Sequence, residues 1–256
     1  MTWSPTQYLA FEDERTRPVR DLLAAVPLTD ARSVIDIGCG PGNSTELLAA
    51  RFPGAAVRGL DSSPEMIQAA VQRLPQIGFE IVDIAGWNDP GPYDVILANA
   101  VIQWLPDHAN LLPALTAKLA CGGCLAIQIP DNLGEPAQLL MRKVAADGPW
   151  AAELTAAAAM RTSIASAEWY YTTLRLSCAK VDVWRTVYYH PLSGGPDAVV
   201  DWFKSTGLRP FLEPLDKHER AAYLERYRSA VAQAYPPLAD GTVLLPFPRL
   251  FMVAIR

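Results

Sequence analysis

Short apolar runs alternate with amphipathic segments between Val34 and Ile129. The runs have the length of buried strands, and the segments between them carry apolar residues at helical spacing. The predicted strands are Val34–Ile37, Val57–Asp61, Phe79–Asp83, Asp94–Asn99 and Leu125–Ile129, and the predicted helices are Asn43–Phe52, Pro64–Leu74 and Ala109–Leu119. Strands separated by helices pair in parallel through right-handed crossovers, so this half of the chain predicts a parallel sheet.

Local signals mark the helix boundaries. Asn43 followed by Glu46 resembles a capping box at the start of one helix. Ser62-Ser63-Pro64-Glu65 places proline near the first position of the next helix and glutamate where it closes a second capping box. Upstream, Pro5–Val26 has apolar residues at helical spacing, and Pro18 is expected to divide it into two helices.

The pattern changes after Ile129. Ala145–Ala165 is alanine-rich and predicts a helix, whereas Val181–Tyr189 is β-branched and aromatic and predicts a strand. Ala198–Ala234 predicts further helix, and Leu244–Ile255 predicts a last strand.

Together these elements predict an α/β fold, a doubly wound, seven-stranded, mostly parallel Rossmann-like sheet that the two late strands complete. We expect 1–131, 168–192 and 243–256 to form this core. Helical insertions at 132–167 and 193–242 are then expected to form a lid for the substrate.

The composition is that of a globular protein with a sizeable core, since 50% of the 256 residues are hydrophobic and 19% are charged. A net charge of −5 disfavours a nucleic-acid partner. No apolar run approaches the roughly 18 residues of a membrane span. The charged residues from Glu12 to Arg20 do not fit a secretory signal, so we expect a cytoplasmic protein without a membrane partner.

The cysteines do not predict a metal or disulfide site. Cys121-Gly-Gly-Cys124 has redox or half-zinc spacing, but the chain has four cysteines, three histidines and no second CxxC. We expect this stretch to be a glycine turn that leads into the strand Leu125–Ile129.

The stretch VIDIGCGPGN places Gly38, Gly40 and Gly42 between a predicted strand and a predicted helix, which is typical of a nucleotide-type site. A phosphate-binding P-loop needs lysine after its last glycine, and the chain has none there. A dinucleotide fingerprint G-x-G-x-x-G needs a third glycine where Asn43 stands. Asp36, two residues before Gly38, suits a ligand that carries an ammonium group.

Polar residues also end the next three predicted strands. Asp61 stands 19 residues after Gly42, where a carboxylate accepts ribose hydroxyls. Asp83 is placed to accept from an adenine amine, while Ile84 covers the ring, and Asn99 ends the fourth strand. S-adenosylmethionine has an adenine, a ribose and a methionine tail with an ammonium group, so it fits these residues. The residues alone leave simpler roles open, such as a helix cap for Asp61 and a solvated strand end for Asp83.

The pattern D-x-G-x-G-x-G followed by Asp61 and Asp83 resembles the class I S-adenosylmethionine-dependent methyltransferases. The resemblance implies that the glycines form the cofactor loop, that Asp61 binds the ribose and that Asp83 binds the adenine. The expected cofactor-binding residues are Tyr8, Asp36, Gly38, Gly40, Gly42, Asp61, Ser62, Asp83, Ile84 and Asn99.

Seven further stretches are similar, as a set, to the family of trans-aconitate 2-methyltransferases. They are WSPTQYLAFEDERTRP, the segment Asp61–Ile67, ANAVIQWLPDH, AIQIPDN, VDVWRTVYYH, STGLRP and FPRLF, and they run from residue 3 to residue 251. The resemblance implies methyl esterification of one carboxylate of trans-aconitate, with S-adenosylhomocysteine as the second product.

The chemistry of this transfer constrains the acceptor site. A carboxylic acid with a pKa near 4 is ionised at pH 7, so it attacks without a general base and the protein acts by positioning. A tricarboxylate that enters a pocket must meet cations, and arginine binds a carboxylate with two hydrogen bonds. Arg209 and Arg249 stand in apolar, aromatic settings and are the arginines we expect to bind substrate, although each also fits a solvated or ion-paired surface position.

Three other residues are expected near the acceptor. Gln103 and Trp104 follow the fourth strand, towards which the transferable methyl should point. Tyr188 ends a late strand and is expected to donate to a carboxylate, whereas His190 is expected at the surface.

Two other functions remain open from the residues alone. A methyltransferase for an isoprenoid or quinone carbon would need an apolar tunnel and a base. A non-catalytic S-adenosylmethionine-binding module would need the glycine turn and Asp61 but no polar acceptor site.

Overall fold

The computed structural model describes residues 12–159, 163–204 and 206–256, without the side chains of 12–15. Its helices are α1 Glu12–Ala25, α2 Asn43–Arg51, α3 Pro64–Arg73, α4 His108–Ala117, α5 Pro136–Ala146, α6 Thr155–Ala159, α7 Ala167–Arg175, α8 Gly195–Lys204, α9 Arg209–Leu212 and α10 Lys217–Ala234. Its strands are β1 Ser33–Ile37, β2 Ala56–Asp61, β3 Gly78–Ile81, β4 Tyr93–Asn99, β5 Leu119–Pro130, β6 Lys180–Leu192 and β7 Val243–Ile255. Short 3₁₀ helices cover Ile84–Gly86 and Ile102–Trp104.

The strands form one seven-stranded sheet in the order β3-β2-β1-β4-β5-β7-β6. Strands β1 to β5 pair in parallel, and β1 in the middle of these five aligns Val34 with Val57 of β2 and with Val95 of β4. The order reverses between β1 and β4, so the carboxyl ends of these two strands flank the crevice where ligands bind in such sheets. The predicted doubly wound, mostly parallel sheet with two late strands is confirmed.

The chain divides into two compact units. The first contains the described residues up to Pro130 together with Ala165–Thr186 and Leu250–Arg256, and the second contains Asp131–Ile164 and Val187–Arg249. Strands β6 and β7 are each divided between the units. In the described part of the chain, no helix combines the length and the apolar character that crossing a membrane requires.

The first unit is built on strands that are buried on both faces. Val34, Ile35 and Ile37 of β1 are fully buried, as are the four residues Val95 to Ala98 of β4. Apolar runs of this kind are expected where helices cover both faces of a parallel sheet.

Pro18 does not divide the first helix, contrary to the prediction. Helix α1 continues through Pro18, which removes one hydrogen bond to the carbonyl of Glu14. The apolar stripe of the helix, with Val19, Leu22 and Leu23 almost fully buried, packs into the core and offsets that loss.

Neither predicted capping box is present. Gly42, not Asn43, is the N-cap of α2, and Glu46 forms an ion pair with Arg73 at 2.6 Å. The helix begins at Asn43 as predicted, but its N-cap is Gly42, with a positive φ, one residue before the N-cap that the side-chain signal indicated. Ser63 caps α3, and Glu65 accepts from the Ser63 hydroxyl at 2.8 Å instead of closing back on a backbone N–H.

The third strand is shorter than predicted, because it ends at Ile81. Asp83 lies outside it and caps the 3₁₀ helix Ile84–Gly86.

The stretch with Cys121 and Cys124 belongs to β5, which begins at Leu119 and therefore earlier than predicted. The ladder register shifts there, since Tyr93 pairs with Leu119 while Val95 pairs with Cys124.

The alanine-rich segment Ala145–Ala165 is not one helix, contrary to the prediction. Helix α5 ends at Ala146, and the short α6 begins at Thr155. Pro149 disfavours helix at the residue before it, and the indole N–H of Trp150 donates to the carbonyl of Val144 at 2.9 Å, which folds the chain back. Alanine content was therefore a misleading signal here, and helix α7 was not predicted as a separate element.

Tyrosines hold helix α10 against α5 in the second unit. Tyr223 and Tyr227 are fully buried and donate to the carbonyls of Met141 and Ala137 at 2.9 and 3.2 Å. The hydroxyl of Tyr235 accepts the N–H of Ala137 at 3.0 Å. This last bond satisfies a donor at the start of α5 that its own helix cannot pair. The predicted helix Ala198–Ala234 is in fact the three helices α8, α9 and α10.

Candidate active site

The glycine turn has the backbone geometry that only glycine adopts easily. Gly38, Gly40 and Gly42 have φ values of 70°, 53° and 93°. A Cβ on Gly38 would lie 2.3 Å from the side chain of Val101, whereas a Cβ on Gly40 would meet no atom of the described residues within 4 Å. Gly38 is therefore required for packing, and Gly40 exposes its backbone to open space.

That open space is a pocket within the first unit. It lies where α1, the glycine turn, the start of α2 and the end of β4 come together. Its lining residues are Thr16, Val19, Gly38, Cys39, Gly40, Pro41, Asn43, Ser44 and Asn99.

Asp36 is fully buried beneath this turn. Its Oδ2 accepts from the hydroxyls of Ser44 and Thr45, both at 2.7 Å, while its Oδ1 has no hydrogen-bond donor among the described residues. Burial raises the pKa of Asp36 to about 7, although the two hydroxyl bonds lower it, and the nearby charge of Asp61 raises it further. An unsatisfied carboxylate oxygen of this kind is suited to a cationic ligand group.

Asp61 joins the end of β2 to the glycine turn. Its Oδ2 accepts the N–H of Gly40 and its Oδ1 accepts the N–H of Ser63, both at 2.9 Å. Burial raises the pKa of Asp61, whereas its backbone hydrogen bonds lower it. A carboxylate can accept about four hydrogen bonds, so Asp61 retains the capacity to accept from a ligand hydroxyl.

Asn99 ends β4 at the edge of the same pocket. Its Oδ1 is buried and has no donor within the described ranges. Together with Asp36, it leaves two buried acceptor atoms that a ligand with donor groups would satisfy.

The adenine-side candidates do not line the pocket. Asp83 is exposed, and its Oδ1 accepts the N–H of Ala85 at 3.0 Å, while Ile84 is only 8% exposed and Ser62 is exposed. Tyr8 lies outside the described residues.

Gln103 and Trp104 lie in the 3₁₀ helix that follows β4. The Gln103 amide donates to the carbonyl of Ala100 at 2.6 Å, and its Oε1 is buried without a donor in the described chain. Ala100 has a positive φ of 53°, which is strained for a residue with a Cβ. Strain of this kind is found where a functional side chain must be aimed.

His108 was not predicted as a site residue, although it ends the quoted stretch ANAVIQWLPDH. Its Nε2 lies 2.7 Å from the carbonyl of Ile102, and its Nδ1 lies 2.7 Å from the hydroxyl of Tyr170. Spacing along the chain carries no signal for this arrangement, because Tyr170 stands 62 residues further on.

Arg249 and Tyr188 are buried in the second unit. Arg249 is 5% exposed, and its guanidinium carbon lies 4.6 Å from the ring centroid of Phe247. Tyr188 is 3% exposed and stacks parallel to His190. His190 is itself buried, contrary to expectation, because it stacks on Trp202 with ring centroids 4.7 Å apart.

Arg209 begins α9 and pairs with Glu213 at 3.1 Å, with its side chain 16% exposed. The second unit also buries two polar residues that were not among the candidates, Asn132 and Gln138. A Cβ on Gly207 would lie 3.0 Å from the Nε2 of Gln138, so the backbone approaches this amide closely. Gln138 could have been found from the sequence, because its polar amide stands between apolar residues of a helix.

Comparison of this chain with known proteins agrees with the geometry of a methyltransferase site. A family model described as a methyltransferase domain matches residues 9–172. A protein of Methylobacterium nodulans named trans-aconitate 2-methyltransferase is 58% identical over 254 residues, which cover 99% of this chain and 98% of that protein. The chain belongs to the trans-aconitate 2-methyltransferase family. Its membership extends over both compact units, because the match covers nearly the whole chain.

Solved structures show the same fold. The YcgJ protein of Bacillus subtilis has a TM-score of 0.61 at 12% identity, and the alignment covers 94% of this chain and 98% of that one. A phosphoethanolamine N-methyltransferase of Haemonchus contortus in complex with S-adenosylhomocysteine has a TM-score of 0.57 at 14% identity, covering 95% of this chain and 52% of that one. The fold of the family member described here is therefore that of known methyltransferases.

Proposed function

We propose that this family member transfers the methyl group of S-adenosylmethionine to one carboxylate of trans-aconitate. The products are the monomethyl ester and S-adenosylhomocysteine. The observation that carries the proposal is the 58% identity with a protein of that name over nearly the full length of both chains.

Residues that line the pocket or lie beside the glycine turn fit the proposed cofactor. The unsatisfied Oδ1 of Asp36 suits the ammonium group, and the open face of Gly40 allows close approach to the backbone. The remaining acceptor capacity of Asp61 suits the ribose hydroxyls, and the buried Oδ1 of Asn99 accepts from a further donor. When bound, S-adenosylmethionine supplies an electrophilic methyl group on a positive sulfur. Asp83, Ile84, Ser62 and Tyr8 stay predicted cofactor residues.

The acceptor needs positioning and charge compensation. A carboxylate is ionised at neutral pH, so no residue of the chain has to remove a proton. Arg249 is proposed to bind an acceptor carboxylate, because a buried guanidinium beside an aromatic ring is weakly hydrated and has fixed donors. Arg209 and Tyr188 are proposed to bind other oxygens of the acid.

Gln103 and Trp104 are proposed to orient the acceptor at the end of β4. The Gln103 amide nitrogen has two donor hydrogens and gives one to the carbonyl of Ala100, so the second is proposed to donate to a carboxylate oxygen, while the buried Oε1 can only accept. The indole of Trp104 is partly exposed and offers an apolar wall.

The role of 132–167 and 193–242 as a substrate lid and the cytoplasmic location remain predictions.

The test is turnover of S-adenosylmethionine with a labelled methyl group against a panel of acids. The panel contains trans-aconitate, cis-aconitate, isocitrate, citrate and a quinone acceptor. We expect label in a base-labile monoester of trans-aconitate with an equal amount of S-adenosylhomocysteine. Label in the quinone, or tight cofactor binding without label in any acid, would refute the proposal.

A further inference from the structure

His108 connects two separate segments of the first unit. It begins α4 directly after Asp107, which caps that helix with a positive φ of 56°. Its imidazole lies between the carbonyl of Ile102 and the hydroxyl of Tyr170, at 2.7 Å from each. Tyr170 belongs to α7 and is fully buried.

The two partners determine the tautomer of the ring. A carbonyl oxygen can only accept, so Nε2 carries the proton and donates to Ile102. In the neutral ring, Nδ1 is then the acceptor and receives the hydroxyl proton of Tyr170. The neutral imidazole is satisfied at both nitrogens, and the two bonds together fix the orientation of the ring.

The carbonyl that His108 binds opens the 3₁₀ helix Ile102–Trp104. It accepts a second bond from the N–H of Leu105 at 3.0 Å. Gln103 in the same turn is held at its other side by the carbonyl of Ala100. The turn that presents Gln103 and Trp104 is therefore fixed by hydrogen bonds before and after these two residues.

We propose that His108, oriented by Tyr170, is a positioning residue for the acceptor. It holds the turn with Gln103 and Trp104 in the geometry that methyl transfer needs and does not itself touch the substrate. The inference rests on the proposed function. Misplacement of a positioning group by about 1 Å can lower a rate on the order of 100-fold, so such a residue is visible in kinetics.

Three substitutions test the role, with a matched structural control. His108→Leu removes both bonds, His108→Gln supplies a donor and an acceptor again, and Tyr170→Phe removes the orienting hydroxyl. Thr116→Val is the control, because the Thr116 hydroxyl also joins α4 to the segment after α7 through Ser177 at 2.9 Å, and its other bond goes to the carbonyl of Pro113 rather than to the turn.

The measurements are kcat and KM for trans-aconitate, the Kd of the cofactor and the melting temperature. We expect His108→Leu to lower kcat/KM at least about 10-fold with a cofactor Kd within about 2-fold of wild type. His108→Gln should recover most of this loss, and His108→Leu/Tyr170→Phe should be no worse than His108→Leu alone. Thr116→Val should lower only the melting temperature.

The ¹⁵N resonances of the His108 ring give a readout that needs no acceptor, and they should report the neutral Nε2–H tautomer. The inference is overturned if this tautomer is absent, if His108→Leu lowers stability but not kcat/KM, or if His108→Gln gives no recovery. Wild-type protein that methylates no acid would instead refute the proposed function, and with it the positioning role. The two failures are thereby distinguished.

Discussion

The carboxylate of Asp61 accepts the backbone N–H of Gly40 at 2.9 Å. A residue at the end of β2 thus holds the central glycine of the turn that follows β1. Because Asp61 also accepts from Ser63, the same carboxylate fixes the start of α3. Its expected function in binding ribose therefore combines with two structural roles: the sequence left open the role at the start of α3 but did not indicate the bond to Gly40.

Asp61→Ala should weaken cofactor binding by about 1–3 kcal/mol, because it removes the ribose acceptor and leaves two backbone donors unpaired. Asp61→Asn keeps one acceptor oxygen and should lose less. Calorimetry of cofactor binding measures both. Asp94→Ala is the matched control, since Asp94 also accepts two backbone N–H groups, those of Arg32 and Ser33, but lies at the amino-terminal ends of β1 and β4, away from the glycine turn. Unchanged affinity in Asp61→Ala would exclude Asp61 from the cofactor site.

Gly38→Ala and Gly40→Ala should fail for different reasons. Alanine at Gly38 would collide with Val101 and adopt a positive φ, so it should lower the free energy of unfolding by about 2–5 kcal/mol. Alanine at Gly40 faces open space and should cost about 1–2 kcal/mol from φ strain alone, yet it should abolish cofactor binding because the methyl group enters the pocket. Chemical denaturation and calorimetry separate the two effects. Wild-type affinity in Gly40→Ala would place the cofactor elsewhere.

Cofactor affinity should increase as pH rises through about 7, the pKa to which burial raises Asp36. Below that pH the carboxyl is protonated and neutral in the cofactor-free protein, and it cannot attract the ammonium group. Between about pH 5.5 and 7 the gain should approach 10-fold per unit, the limit for release of one proton. Asp36→Asn should bind weakly at every pH and show no such slope.

The same pKa predicts the direction of the stability change. The folded pKa of Asp36 lies above its ordinary value of 3.8, so the folded state binds this proton more tightly than the unfolded state. The contribution of Asp36 to stability is therefore full below about pH 4 and is lost as pH rises through about 7. Urea denaturation of wild type and Asp36→Asn at pH 6 and pH 8 measures it, and identical pH dependence in both would contradict the raised pKa.

Arg209→Met should raise the KM for trans-aconitate at least about 10-fold and leave the cofactor Kd unchanged, because a charge-assisted bond to a carboxylate is lost. Arg228→Met is the matched control in the same unit, since Arg228 is a more exposed arginine that pairs with Asp197 and Glu225. Initial rates at saturating cofactor give the KM values, and calorimetry gives the cofactor Kd. Wild-type parameters in Arg209→Met would assign Arg209 to its pair with Glu213 alone.

The centre of the sheet was predictable because β1, β4 and β5 contain buried apolar runs. The apolar run Val34–Ile37 favours a central strand, and in the sheet it pairs with largely apolar residues of β2 and β4. The glycine turn was predictable for the same local reason, because its three positive φ values leave few other residue types possible. Both features depend on residues that are close together in the sequence, so residue type and spacing are enough to predict them.

The errors arose where distant residues or competing local signals decide the outcome. Asn43 resembles an N-cap, but the backbone of Gly42 starts the helix. The alanines after Ala145 favour helix, but Pro149 and the indole of Trp150 end it. The pairing of His108 with Tyr170 joins positions 62 residues apart, and no spacing rule reaches that far.

The most direct test of the account is a crystal structure of the protein with S-adenosylhomocysteine and trans-aconitate bound. We predict that one carboxylate oxygen lies on the side of the sulfur from which the methyl group leaves, about 3 Å from the position of that methyl. A second carboxylate should be within hydrogen-bond distance of the guanidinium of Arg249 or Arg209. An apolar chamber beside the sulfur, with the acid bound elsewhere or absent, would contradict the assignment of a carboxylate acceptor.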